Sequence, residues 1–182
     1  MWKKWIILAL CTCLLMSSCA AADEKLALIG EWAFSYEPET EVLRVGEDGA
    51  AWYKGQDYTW EDLGDRLKLT DAAGGVLFLR YLVAGDQTFI YPHTKYHRGK
   101  EVEGQGGLIG IWEEENGGGS FVFTPAGYFL EDSSFSGNYM IDQAAGTFLL
   151  HYGDVFADTL CYYSIGEDDV LTVEYPWAIV KR

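Results

Sequence analysis

Beyond Lys25 the chain keeps a period of two rather than of 3.6. Arg66-Leu67-Lys68-Leu69-Thr70 alternates polar and apolar side chains, and Asp169-Val170-Leu171-Thr172-Val173-Glu174-Tyr175 does so apart from Val170. Successive Cβ atoms of a strand point to opposite faces, so this pattern predicts strands with one buried face. Leu43-Arg44-Val45-Gly46 and Ala51-Trp52-Tyr53 flank Glu47-Asp48-Gly49, a hairpin signal because glycine accepts positive φ without strain. A second hairpin is predicted over Ser120–Leu130, around Pro125-Ala126-Gly127. Val76–Val83 is a nearly continuous apolar run, which predicts a strand buried on both faces. No stretch after Cys19 shows a helical period, and turn signals recur every 8 to 12 residues. That spacing belongs to sandwiches and barrels, and such short connections favour antiparallel neighbours. The fold class expected is all-β, an antiparallel up-and-down meander.

Sliding the chain along itself reveals a duplication. Leu28-Ile29-Gly30-Glu31-Trp32 matches Leu108-Ile109-Gly110-Ile111-Trp112. Leu43-Arg44-Val45 with Gly49 then matches Phe121-Val122-Phe123 with Gly127, and Tyr58 with Leu67 and Leu69 matches Tyr139 with Phe148 and Leu150. Tyr81 and Gly85 match Tyr162 and Gly166, and Tyr91-Pro92 matches Tyr175-Pro176. The order never inverts, and the drift in offset falls in turn-like segments, where insertions are tolerated. The repeats run from 26 to 97 and from 107 to 182, joined by the polar, glycine-rich segment 98–106.

The first residues follow a different rule. Lys3 and Lys4 precede a twelve-residue apolar run, Trp5–Met16, and small residues follow it. A helix of that length reaches about 18 Å, short of the roughly 30 Å hydrocarbon core, so the run reads as a secretion signal over 1–18. Removing it takes the net charge from −15 to −17, since it holds two lysines and no acid. So acidic a body is not expected to bind nucleic acid, whose counterions are displaced by Lys and Arg. Aromatic residues make up 15% of the chain, enough to build a packed core. Of the four cysteines, Cys11 and Cys13 leave with the signal, so a disulfide framework is not expected. Cys161, inside Thr159-Leu160-Cys161-Tyr162-Tyr163, reads as a small buried hydrophobe of a strand.

Two resemblances add to this reading. Met16-Ser17-Ser18-Cys19 resembles the lipobox of bacterial lipoproteins, which implies acylation of Cys19 as the new N-terminus, with 19–25 as lipidated cysteine and tether. Gly30-Glu31-Trp32 and Gly110-Ile111-Trp112 resemble the opening Gly-x-Trp of lipocalins, and Gly137-Asn138-Tyr139 their second element, where the first repeat has Gln56-Asp57-Tyr58. The halves are thus similar to the lipocalin-like β-domains of Gram-positive lipoproteins of unknown function. This implies one lipocalin-like barrel or two small barrels, anchored outside the cytoplasmic membrane through the N-terminal lipid.

Candidate chemistry is sparse. His93 and His97 have the i, i+4 spacing that puts two imidazoles on one face of a helix, yet no carboxylate lies between them to complete a zinc site. Neither a metal nor an organic cofactor is expected. The acidic clusters lack the spacing of a calcium loop. No nucleophile elbow, phosphate loop or zinc-protease motif appears, so the chain is not expected to be an enzyme. Trp32 and Trp112 read as core. Trp52, Trp60 and Trp177 neighbour charges or a chain end, which makes them the candidate ligand-binding residues. The function expected is non-enzymatic binding of a small apolar molecule, a glycan or an envelope protein. The alternative is an accessory protein with filled cores that acts through its surface; an unrecognised hydrolase ranks third.

Overall fold

The computed structural model describes residues 28–100 and 106–182. Cys19, the signal segment, the tether and part of the linker lie outside the described residues.

Every regular element described is a strand. The first repeat supplies β1 (Gly30–Phe34), β2 (Glu41–Val45), β3 (Ala50–Tyr53), β4 (Gln56–Asp62), β5 (Arg66–Thr70), β6 (Val76–Ala84), β7 (Gln87–Tyr91) and β8 (His93–Arg98). The second supplies β9 (Gly110–Glu114), β10 (Ser120–Phe123), β11 (Tyr128–Glu131), β12 (Phe135–Asp142), β13 (Thr147–His151), β14 (Thr159–Ile165), β15 (Val170–Glu174) and β16 (Trp177–Lys181). They form two closed antiparallel barrels of eight strands each. The expected all-β meander is therefore present twice, and closure removes the exposed sheet edges that invite aggregation.

Each repeat has the strands for one barrel, but each barrel takes its closing strand from the other repeat. In the first barrel β16 lies between β1 and β7, with Ile179 opposite Phe34 and Trp177 opposite Ile90. In the second, β8 lies between β15 and β9, with Tyr96 opposite Leu171 and Arg98 opposite Trp112. The compact units accordingly divide at the crossovers: residues through Ile90 with Trp177–Arg182, and Tyr91–Pro176. The repeats of sequence and the units of structure differ by one exchanged strand.

Local chemistry accounts for the exchange. A single residue, Pro92, separates β7 from β8, too few to reverse the chain. Tyr175-Pro176 separates β15 from β16. A two-residue hairpin needs positive φ at one or both loop positions, whereas proline is fixed near −65°. At both places the chain runs on instead of turning back.

Both cores are built from inward positions of alternating strands. The first gathers Trp32, Leu43, Val45, Leu67, Leu69, Leu79, Ile90 and Ile179; the second Trp112, Phe121, Phe123, Phe148, Leu150, Cys161, Leu171 and Val173. The two opening tryptophans occupy matching environments. The indole N–H of Trp32 donates to the carbonyl of Leu28 at 2.8 Å, and that of Trp112 to Leu108 at 2.8 Å. Each ring also carries a cation from the exchanged strand: Lys181 Nζ lies 5.3 Å from the Trp32 centroid, and the Arg98 guanidinium carbon 4.1 Å from that of Trp112. Arg98, placed at the start of the linker by sequence, is thus the last residue of β8. It also donates to the carbonyls of Ile109 and Gly107, at 3.1 Å each, and pairs with Asp169.

Three sequence expectations need correction. Val76–Val83 is not buried on both faces: Val76, Phe78 and Leu82 are exposed, because a barrel wall has an outer face. Tyr81 does not correspond to Tyr162. Leu67 pairs with Leu79 and Phe148 with Cys161, so the buried Tyr81 matches Tyr163, and a slip of one residue had moved the match to the outer face. Tyr139 corresponds to Trp60 rather than to Tyr58: Trp60 faces Leu69 as Tyr139 faces Leu150. Both tie down the preceding hairpin, Trp60 Nε1 donating to Gly46 O at 2.9 Å and Tyr139 Oη to Thr124 O at 2.7 Å.

Candidate functional site

The described interior positions are occupied by the protein's own side chains. In the second barrel Phe123 lies 5.4 Å from Phe121 and 5.3 Å from Phe148, centroid to centroid, and all three rings are buried. Eight-stranded barrels are just wide enough for such filling. This directs attention to the outside.

On the first barrel, β1 ends at Phe34, and the chain then turns so that Glu37 N donates to Phe34 O at 3.0 Å. Ser35 N donates to Ala178 O at 2.9 Å, which fastens the turn to β16. Phe34 and Tyr36, two residues apart, stack at 5.2 Å with 8° between their planes. Trp177, at the start of β16, sets its ring 5.3 Å from Tyr36 at 63° and 6.1 Å from Phe34 at 61°. Phe34 reaches the core, whereas Tyr36 is 62% and Trp177 40% exposed. Lys54 Nζ lies 5.9 Å from the Phe34 centroid on the same barrel. Burial, followed by the charge of Glu37, raises the Tyr36 hydroxyl pKa above its ordinary value, so at neutral pH it is a phenol able to donate. A rigid, exposed aromatic platform results, able to stack on a flat apolar face and offering one hydroxyl.

Of the three candidate tryptophans, only Trp177 belongs to this platform. Trp60 closes a hairpin, as described. Trp52 is half-buried on β3 beneath the Arg44 guanidinium, 6.0 Å from the ring centroid, and Arg44 is held by Glu41 at 2.7 Å. Phe34 and Tyr36 were missed by sequence. Their i, i+2 spacing marks a shared strand face, but the ring that completes the group comes from the far end of the chain.

His93 and His97 lie on strand β8, not on a helix or loop. Four strand residues span about 13 Å, so the two rings do not converge. Each instead faces its own carboxylate, His93 that of Glu174 at 3.3 Å and His97 that of Glu115 at 3.4 Å. His151 is exposed on β13, with Nδ1 2.6 Å from Asp158. Cys161 is fully buried, and burial raises its thiol pKa far above the range in which a thiolate forms. It is core, not a nucleophile.

One polar network enters the second barrel. Tyr152 Oη donates to Glu131 Oε2 at 2.6 Å and lies 3.3 Å from Tyr175 Oη. Burial raises the Glu131 carboxyl pKa above its ordinary value; the Tyr152 hydrogen bond opposes the shift less strongly, and Asp132 adds to it. An acid with a higher pKa folded than unfolded binds more protons in the folded state, so stability falls as pH rises through that window. Glu131→Gln keeps an acceptor for Tyr152 and removes the buried charge. We expect this variant to melt at or above the parent at neutral pH, with the gap closing in acid. A lower melting temperature that persists in acid would contradict this assignment.

Searches against protein-family models, curated proteins and solved structures return no match to this chain.

Proposed function

We propose that the protein is an exported, lipid-anchored envelope protein with a non-enzymatic binding role, and that it engages the sugar rings of an envelope glycan through Phe34, Tyr36 and Trp177. The observation that carries this reading is the mutual contact of three aromatic rings, two of them exposed, where β1 ends and β16 begins. Sugar rings present C–H faces that pack on aromatic faces, and rings already locked against one another lose little rotamer freedom on binding. The packed rings of Phe121, Phe123 and Phe148 in the second barrel favour a surface role over enclosure of an apolar ligand. The formal charge of −15 disfavours polyanions, so an uncharged oligosaccharide is the natural occupant. The lipobox-like segment ending at Cys19 supports anchoring, which would hold the platform close to the envelope on a short tether.

The test is titration of the protein with a neutral β-linked N-acetylglucosamine oligomer, followed by calorimetry. Loss of one stacking ring is worth about 0.5–1.5 kcal/mol beyond area burial, so Tyr36→Ala and Trp177→Ala are each expected to weaken binding about tenfold without lowering the melting temperature. Undiminished binding by the double variant, or no binding by the parent, would overturn the platform assignment. Metabolic labelling with an alkynyl fatty acid tests the anchor separately: label on the parent and none on Cys19→Ser is the expected result.

A further inference from the structure

A cavity of about 150 Å³ opens at one end of the second barrel, lined by Ser134, Phe135, Ser136, Tyr152, Val155 and Phe156. It is too small for the drug-sized ligands that fill roughly 300–1,000 Å³, and it suits a single compact group. Three of its six lining residues are aromatic. Phe135 and Phe156 stand 5.4 Å apart at 73°, and Phe156 and Tyr152 5.6 Å apart at 87°, so the rings wall the space from different directions. Phe129 supports Tyr152 from within, 5.0 Å away at 89°. Phe135 and Phe156 remain 43% and 50% exposed, which leaves the mouth open.

The lining of this cavity is uncharged, and Tyr152 ties it to a carboxylate. No Lys, Arg or His is among its lining residues. Behind Tyr152 stands the Glu131 carboxylate, 2.6 Å from the phenol oxygen, and Asp154 belongs to the same loop as Val155 and Phe156. The nearest basic group in sequence, His151, is held by Asp158 at 2.6 Å. An aromatic face carries the negative lobe of its ring's quadrupole, and a carboxylate bonded to one of the rings deepens that potential. A metal ion or a primary ammonium would want its full hydration shell replaced by oxygen ligands, for which the hydroxyls of Ser134, Ser136 and Tyr152 are too few. An alkylated ammonium, whose charge is spread over methyl groups, gains both dispersion and cation–π attraction here.

From this geometry we infer that the cavity bounded by Phe135, Tyr152 and Phe156 binds a quaternary or methylated ammonium group. The site lies on the second barrel and does not depend on the glycan reading of the first.

The experiment compares choline with its neutral carbon isostere, 3,3-dimethylbutan-1-ol, by NMR titration of the full mature chain. Choline is expected to give saturable shifts at the amides of Ser134, Ser136, Tyr152 and Phe156, with the isostere at least tenfold weaker. Phe156→Ala should weaken choline about tenfold. Because Phe156 is half exposed, the truncated protein should remain folded, and Phe156→Tyr should retain binding. Glu131→Gln should weaken choline while leaving the fold intact. Equal affinity for choline and the isostere would overturn the cation assignment in favour of a plain apolar nook, and the absence of saturable shifts with either would overturn the site.

Discussion

Ile179→Asp, a change three residues before Arg182, is expected to unfold the first barrel and spare the second. Ile179 is 4% exposed, faces Phe34 and Thr88 across its two neighbours, and belongs to the first core. An unpaired carboxylate there costs several kcal/mol, comparable with the 5–15 kcal/mol that holds a typical domain folded. Hydrogen-exchange mass spectrometry should show protection lost over residues 30–91 and kept over 110–174. The reciprocal variant, Tyr96→Asp in β8, should expose the second barrel and leave the first protected. If each repeat closed on its own last strand, the two variants would give the opposite pattern.

Gly137→Ala is expected to be nearly as damaging, although it adds only a methyl group. A Cβ at Gly137 would stand 2.0 Å from the His151 carbonyl oxygen and 2.9 Å from Phe129 Cε1, so β13 would have to move. Backbone cannot yield as a flexible side chain does, and overpacking of this kind costs about 3 kcal/mol or more. The first barrel solves the same position differently. There Ala51 faces Tyr58, whereas in the second barrel Phe129 faces Gly137. The bulky ring has changed strands, and the small residue opposite makes room for it. Chemical denaturation of Gly137→Ala should therefore show a marked loss of stability confined to the second barrel, while an exposed change nearby, Asn138→Ala, should have little effect. Equal stability of Gly137→Ala and the parent would mean that β12 and β13 do not approach so closely.

Much of this architecture was legible because period-two alternation and turn chemistry are local. The hairpins around Gly49 and Gly127, the paired Gly-x-Trp openings and the inward sets Leu67 and Leu69, Phe148 and Leu150 all follow from residues close in sequence. Register was less secure. A match by residue type aligned Tyr81 with Tyr162 and Tyr58 with Tyr139, whereas pairing aligns Tyr81 with Tyr163 and Trp60 with Tyr139. Side-chain identity does not record which face a strand presents. The strand exchange was signalled all along by the missing turns at Tyr91-Pro92 and Tyr175-Pro176, which registered only as a repeat. Candidate sites suffered most, since both depend on rings distant in sequence: Tyr36 meets Trp177 through the exchanged strand, and Phe135 meets Tyr152 and Phe156 through the pairing of β12 with β13.

The interleaving of the two repeats is settled most directly by interstrand nuclear Overhauser effects in the folded, unmodified chain. Our account predicts backbone contacts from Ile179 to Phe34 on one side and to Thr88 on the other, together with contacts from Tyr96 to Leu171 and Glu114. Contacts joining Trp177–Lys181 to Gly110–Glu114, or His93–Arg98 to Gly30–Phe34, would show that each repeat closes on itself and would contradict it.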